Sequence, residues 1–148
     1  MSFQFSLGAV LRYRESIEQR EYFALERTQQ EITRVETKIR EVEEESSRAT
    51  QNLSAELAKG TRAADVRIAY EYRSALERQL EIQRTLLQEL KMKWRQQLNA
   101  YDLARRNCET LRKLREKQFD VYTREQAKRE QSVLDDIFLA RRGHRRGN

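Results

Sequence analysis

Cys108 and His144 are the chain's one cysteine and one histidine, so any nucleophile would start with them. A cysteine nucleophile needs a base beside it to take its proton. The only imidazole lies far down the chain, in a tail of arginines and glycines. A single cysteine also rules out an internal disulfide. The carboxylates offer no acid/base pair. Glu43, Glu44 and Glu45 are consecutive, so on a helix they fan outward rather than converge. No phosphate-cradling glycine loop, metal-ligand spacing or nucleophile elbow occurs in the chain. These residues argue against an enzyme, and they call for no metal, no cofactor and no small-molecule substrate.

The spacings that do carry chemistry are those of binding. Val133, Leu134, Ile137 and Phe138 are separated by steps that gather them on one side of a helix. Wet apolar side chains in a row are unfavourable until something covers them, so this cluster predicts a helix-in-groove contact with a partner, or else that the chain folds back or dimerises through it. Arg105, Arg106, Arg112, Lys113, Arg115 and Lys117 form the densest basic stretch. Glu109 and Glu116 interrupt it, whereas a helix that reads nucleic acid more often shows an unbroken basic face. The stretch reads as a solvated flank or a protein-binding patch, with nucleic acid the third alternative. Tyr70 and Tyr72 point in different directions on a helix; either both simply cap the end of the core, or one serves as a rigid, amphipathic contact.

The elements that must carry these residues follow from two absences. The chain of 148 residues has no proline, and Gly60 is the only glycine between Gly8 and Gly143. Proline breaks helices and an interior glycine costs about 1 kcal/mol, so helix can run almost throughout with one interruption. Ser6 is a candidate N-cap, with Phe5 and Val10 placed as a hydrophobic staple. Leu25, Thr28, Ile32, Val35, Ile39, Val42, Ser46, Ala49 and Leu53 alternate in steps of three and four. Leu7, Val10, Leu11 and Ile17 keep an apolar face in another register, which a stutter near Glu21 would reconcile. Gly60 then stands just past the first helix, and Thr61 or Asp65 can cap the second. The second stripe reads Ala69, Tyr72, Leu76, Leu80, Gln83, Leu87, Leu90, Trp94, Gln97, Tyr101, Ala104, Cys108 and Leu111. On it, Cys108 and Trp94 are core residues.

The expected fold is all-α: a long antiparallel two-helix coiled-coil hairpin whose second helix extends beyond the first. The parts are an N-terminal segment 1–6, a first helix 7–59, a turn 60–64, a second helix 65–141 and a disordered basic tail 142–148. Folding back near Thr61 makes facing residue numbers add to about 123. Leu11 then meets Leu111, Leu25 meets Leu98, Ile32 meets Leu90 and Val42 meets Leu80. Phe3 and Phe5 can cover Phe119 and Tyr122. Nothing in the chain reaches Val133 or the residues after it.

Composition agrees. Ala, Glu, Leu, Lys and Arg supply 78 of the 148 residues, the usage of coiled coils. Net charge is +6 and unevenly placed: residues 1–74 carry −1 and residues 75–148 carry +7. The second half therefore suits an acidic partner surface, nucleic acid or anionic lipid. Residues 1–11 lack the basic start of a signal peptide, and no apolar run approaches the ~18 residues of a membrane span. A cytoplasmic protein is the expectation.

The chain resembles the FliJ family of flagellar export proteins. The resemblance rests on Phe3-x-Phe5-x-Leu7 with Val10-Leu11-x-Tyr13-Arg14, and on Tyr72 followed by Leu76 after the turn. It rests further on Leu111-x-x-Leu114-Arg115-Glu116-Lys117-Gln118 and on Glu130-Gln131-x-x-Leu134-Asp135-Asp136. It covers nearly the full length, although Gly8 stands where a helix-favouring residue is expected. The resemblance implies a non-enzymatic component of the flagellar type III export apparatus, similar to the stalk of rotary ATPases. It implies contacts with the hexameric export ATPase, the membrane-embedded export gate and substrate chaperones. It also implies a place at the cytoplasmic face of the inner membrane, at the flagellar base.

On that resemblance, Leu7, Leu11, Leu114 and the extension through Val133, Leu134, Ile137 and Phe138 are expected to meet the ATPase, with the basic residues 105–117 adding attraction. Tyr70, Tyr72 and Leu76 at the hairpin tip are expected to meet the gate. The rivals are a stalk or chaperone of a virulence-type secretion system, a nucleic-acid-binding coiled coil and a plain coiled-coil spacer.

Overall fold

The computed structural model describes residues 2–147; Met1 and Asn148, the outermost residues of the expected end segment and tail, lie outside the described residues. Two helices carry the chain: α1, Gly8–Lys59, of 52 residues, and α2, Ala63–Arg146, of 84 residues. They pack against each other as an all-α helical hairpin, with no strand among the described residues.

The turn forms where the glycine permits it. Gly60 has φ of 71°, a left-handed conformation that glycine adopts without steric cost. Its N–H donates to the Leu57 carbonyl at 3.4 Å, and the Thr61 N–H donates to the Glu56 carbonyl at 3.3 Å. That pair of bonds is the Schellman closure of a helix. The Thr61 hydroxyl also donates to the Glu56 carbonyl, at 2.7 Å. Thr61 therefore closes α1 and does not cap α2. The carbonyl of Arg62 accepts from the Val66 N–H at 3.1 Å, so α2 starts two residues earlier than the sequence suggests.

At the other end, the Leu7 carbonyl accepts the first helical bond, from the Leu11 N–H at 2.9 Å. Leu7, rather than Ser6, thus occupies the cap position. Helix α2 runs to Arg146, through most of the tail expected to be irregular. Gly143 disfavours helix there, but arginine propagates it well and cations suit a helix C-terminus. The Gly147 N–H closes the last turn on the Gly143 carbonyl at 3.1 Å.

The chain divides into two compact units. One is Arg20–Asp102, a hairpin of the later part of α1 with the earlier part of α2. Its core joins Ile32, Val35, Ile39, Val42 and Ala49 of α1 to Leu76, Leu80 and Leu90 of α2, with Leu87 and Trp94 packed against them. Thr28 is as buried as its apolar neighbours, and its hydroxyl donates to the Ala24 carbonyl at 3.2 Å. Tyr22 lies tilted against Tyr101 with ring centres 5.9 Å apart, and Arg84 reaches Glu43 at 3.0 Å. Both contacts join early α1 residues to late α2 residues or the converse, which makes the pair antiparallel.

The second unit combines residues up to Gln19 with those from Leu103 onward. Leu11, Ala104 and Cys108 are its buried apolar residues. Phe3 packs edge-on against Phe119 at 5.3 Å and lies 5.5 Å from Tyr122. Both contacts follow the register expected from sequence. Past Gln126 that cover ends, and every described residue of 127–147 is exposed.

Candidate functional site

The uncovered end of α2 is the most distinctive surface of the second unit. Val133, Leu134, Ile137 and Phe138 stand exposed on it, from 46% for Ile137 to 65% for Phe138. Leu139 is exposed as well, on a different side of the helix, and lies outside the three-and-four spacing that marks the others. Two shallow grooves run along this surface. One is lined by Arg129, Glu130, Val133 and Leu134, and the other includes Ile137, Phe138 and Arg141.

The basic stretch divides in two. Arg112 points back to α1, where its guanidinium meets Glu18 at 3.4 Å and Glu15 at 3.6 Å. Arg105 pairs with Glu109, one turn on, at 3.6 Å. Arg106, Lys113, Arg115 and Lys117 are exposed cations. Sequence spacing lacks the signal that would assign Glu15 and Glu18 to Arg112, because their meeting depends on how the helices face each other. Beside them, Cys108 is fully buried. Burial first, and then a hydrogen bond to the Glu18 carboxylate, push its thiol up to about 11. A thiol so protonated and so enclosed is a poor nucleophile.

At the tip of the hairpin unit, Tyr70 and Tyr72 are both exposed, and so are Leu57 and Ile68, which the sequence did not single out. The Tyr72 hydroxyl donates to the Glu45 carboxylate, which raises its pKa above the ordinary phenol value. Leu76 is buried in the core of that unit.

Among the described residues, no group of His, Cys, Asp and Glu is placed to hold a metal ion. No helix among them is long and apolar enough to cross a membrane. Their chemistry is that of exposed apolar rows and cations.

Comparison with protein-family models finds one that matches residues 3–148, described as Flagellar FliJ protein. The chain belongs to the FliJ family. Comparisons with curated proteins and with solved structures give no match.

FliJ membership gives the chain a role associated with flagellar export, as a component of a non-catalytic family that acts within the export apparatus. The exposed rows fit a protein that works by contact. Of the residues expected at FliJ partner surfaces, Leu11 and Leu76 are buried, Leu76 within the core of its unit. Leu7 and Leu114 remain part-exposed, at 37% each.

Proposed function

We propose that this FliJ-family chain is a coiled-coil stalk or adaptor of the flagellar type III export apparatus, bound at the cytoplasmic face of the inner membrane at the flagellar base. Its end bearing Leu7, Leu114 and the α2 extension meets the export ATPase ring. Its hairpin tip, at Tyr70 and Tyr72, meets the export gate. Substrate chaperones use the same exposed helix faces.

One observation carries the reading. Val133, Leu134, Ile137 and Phe138 are exposed together on helix that no other described residue covers. Side chains of this size release on the order of 1.5–3 kcal/mol each when buried, enough for a few of them to anchor a complex. Exposed Arg106, Lys113, Arg115 and Lys117 add attraction toward an acidic rim.

Pull-down with the purified export ATPase tests the proposal. A chain carrying Leu134→Glu and Phe138→Glu is expected to lose capture while keeping its helicity. Undiminished capture would reject the α2 extension as the contact.

A further inference from the structure

The face of α2 over 130–141, within the unit that holds Leu103 onward, is complementary to its own reverse. Glu130, Leu134, Ile137 and Arg141 follow at steps of four, three and four, so they form one row along the helix. Val133 and Phe138 flank its middle. Reversing the row exchanges an acid for a base at the ends and one apolar residue for another between them. All six side chains are exposed, and neither Glu130 nor Arg141 is held in an ion pair. The nearby Asp135 is tied to Gln131 at 3.1 Å and lies off the row.

We infer that a second copy of this chain covers this face, with the two α2 helices antiparallel about a twofold axis between residues 135 and 136. Glu130 then lies level with Arg141 of the second copy, and the symmetry makes that ion pair twice. Leu134 meets Ile137, and Val133 comes level with Phe138. The groove lined by Glu130, Val133 and Leu134 sits over the groove that includes Ile137, Phe138 and Arg141. A parallel pairing would set Glu130 against Glu130 and Arg141 against Arg141, so the charges select the antiparallel one. A lipid surface would have to take up the Glu130 carboxylate, which lies on the same row as the apolar side chains, at a desolvation cost. The contact is short, below the ~1,200 Å² of standard interfaces, so the dimer is weak and concentration-dependent. It covers the surface proposed above for the ATPase, and it stands or falls independently of that contact.

Light scattering on the full-length protein, over a series from micromolar to sub-millimolar, tests the inference. The mass is expected to rise from the 17.8 kDa monomer toward twice that value. Glu130→Arg alone and Arg141→Glu alone are each expected to weaken the dimer at least about tenfold, and the double variant to restore it to within about threefold. Circular dichroism confirms that each variant keeps its helix. A wild-type chain that stays monomeric throughout would overturn the inference. So would single variants that dimerise like wild type, or a double variant as weak as the singles. A monomeric chain that cosediments with vesicles of phosphatidylglycerol and phosphatidylcholine would overturn it in favour of a lipid surface.

Discussion

Arg112 of α2 reaches Glu18 of α1, with Nη2 3.4 Å from Oε2, and its Nε lies 3.6 Å from Oε1 of Glu15. One guanidinium thus joins two successive turns of the facing helix. The groups are only partly shielded from water, so the arrangement contributes on the order of 1 kcal/mol. Arg112→Ala is expected to lower the melting temperature by a few degrees, read by circular dichroism. Lys113→Ala, beside it on the exposed face, should leave the melt unchanged. Equal melts for the two variants would show that the bridge adds nothing.

The Cys108 thiol holds its proton more tightly folded than unfolded, with its pKa pushed up to about 11. The stability this contributes is whole below the unfolded thiol's pKa. It is lost as pH rises toward 11, because the unfolded chain releases the proton first. The urea midpoint of the wild type should therefore fall faster than that of Cys108→Ala between pH 8 and pH 11. At pH 8, iodoacetamide should modify the native protein far more slowly than the urea-unfolded chain. Equal rates would contradict the enclosure of the thiol.

Gly60 closes α1 with φ of 71°, and nothing lies within 4 Å of where a Cβ would stand. A side chain there meets no obstacle, so the penalty is confined to the backbone. Gly60→Ala is expected to cost about 1–2 kcal/mol and Gly60→Asn less, since asparagine tolerates the left-handed region better. Thermal melts of the two variants give the order. A melt of Gly60→Ala like the wild type's would mean the turn has another conformation in solution.

Thr28 is 2% exposed on the core stripe of α1, and its hydroxyl is spent on its own helix at the Ala24 carbonyl. Valine has the same shape with a methyl group in place of the hydroxyl, and the carbonyl keeps its helical bond. Thr28→Val should leave the fold intact and raise stability by up to about 1 kcal/mol. Chemical unfolding measures it. A loss of stability would point to a further acceptor for the hydroxyl.

Lys113, Arg115 and Lys117 are exposed. Reversing all three to glutamate should leave the melting temperature within a few degrees, because single surface changes stay near ±0.5 kcal/mol each. The same variant is expected to weaken capture of the export ATPase, most of all at low salt. Unchanged capture at every salt concentration would remove these cations from the contact.

Most of the helical pairing was legible in the linear order of residues. The stripe from Leu25 to Leu53 is a local pattern, and side chains three and four apart share a helix face whatever surrounds them. Thr28, Ile32, Val35, Ile39, Val42, Ala49 and Leu53 are all buried as that pattern requires. A lone glycine in a proline-free chain likewise marks the turn, because the left-handed conformation is cheap only there. The uncovered row at Val133–Phe138 could be read too, by counting residues on either side of Gly60.

Contacts across the hairpin were beyond that reach. Periodicity places a residue within about one position of the seam, but facing side chains meet or miss by less than that. Arg112 and Leu76 both looked available to a partner; packing turned one toward Glu15 and Glu18 and enclosed the other. Tyr72 sits on the apolar stripe in sequence and yet is exposed, with its hydroxyl donating to Glu45. Helix faces follow from local geometry, written residue by residue along the chain. Which charges pair and which leucines are hidden depends on the rotation and axial offset of two helices, and those are properties of the packed pair.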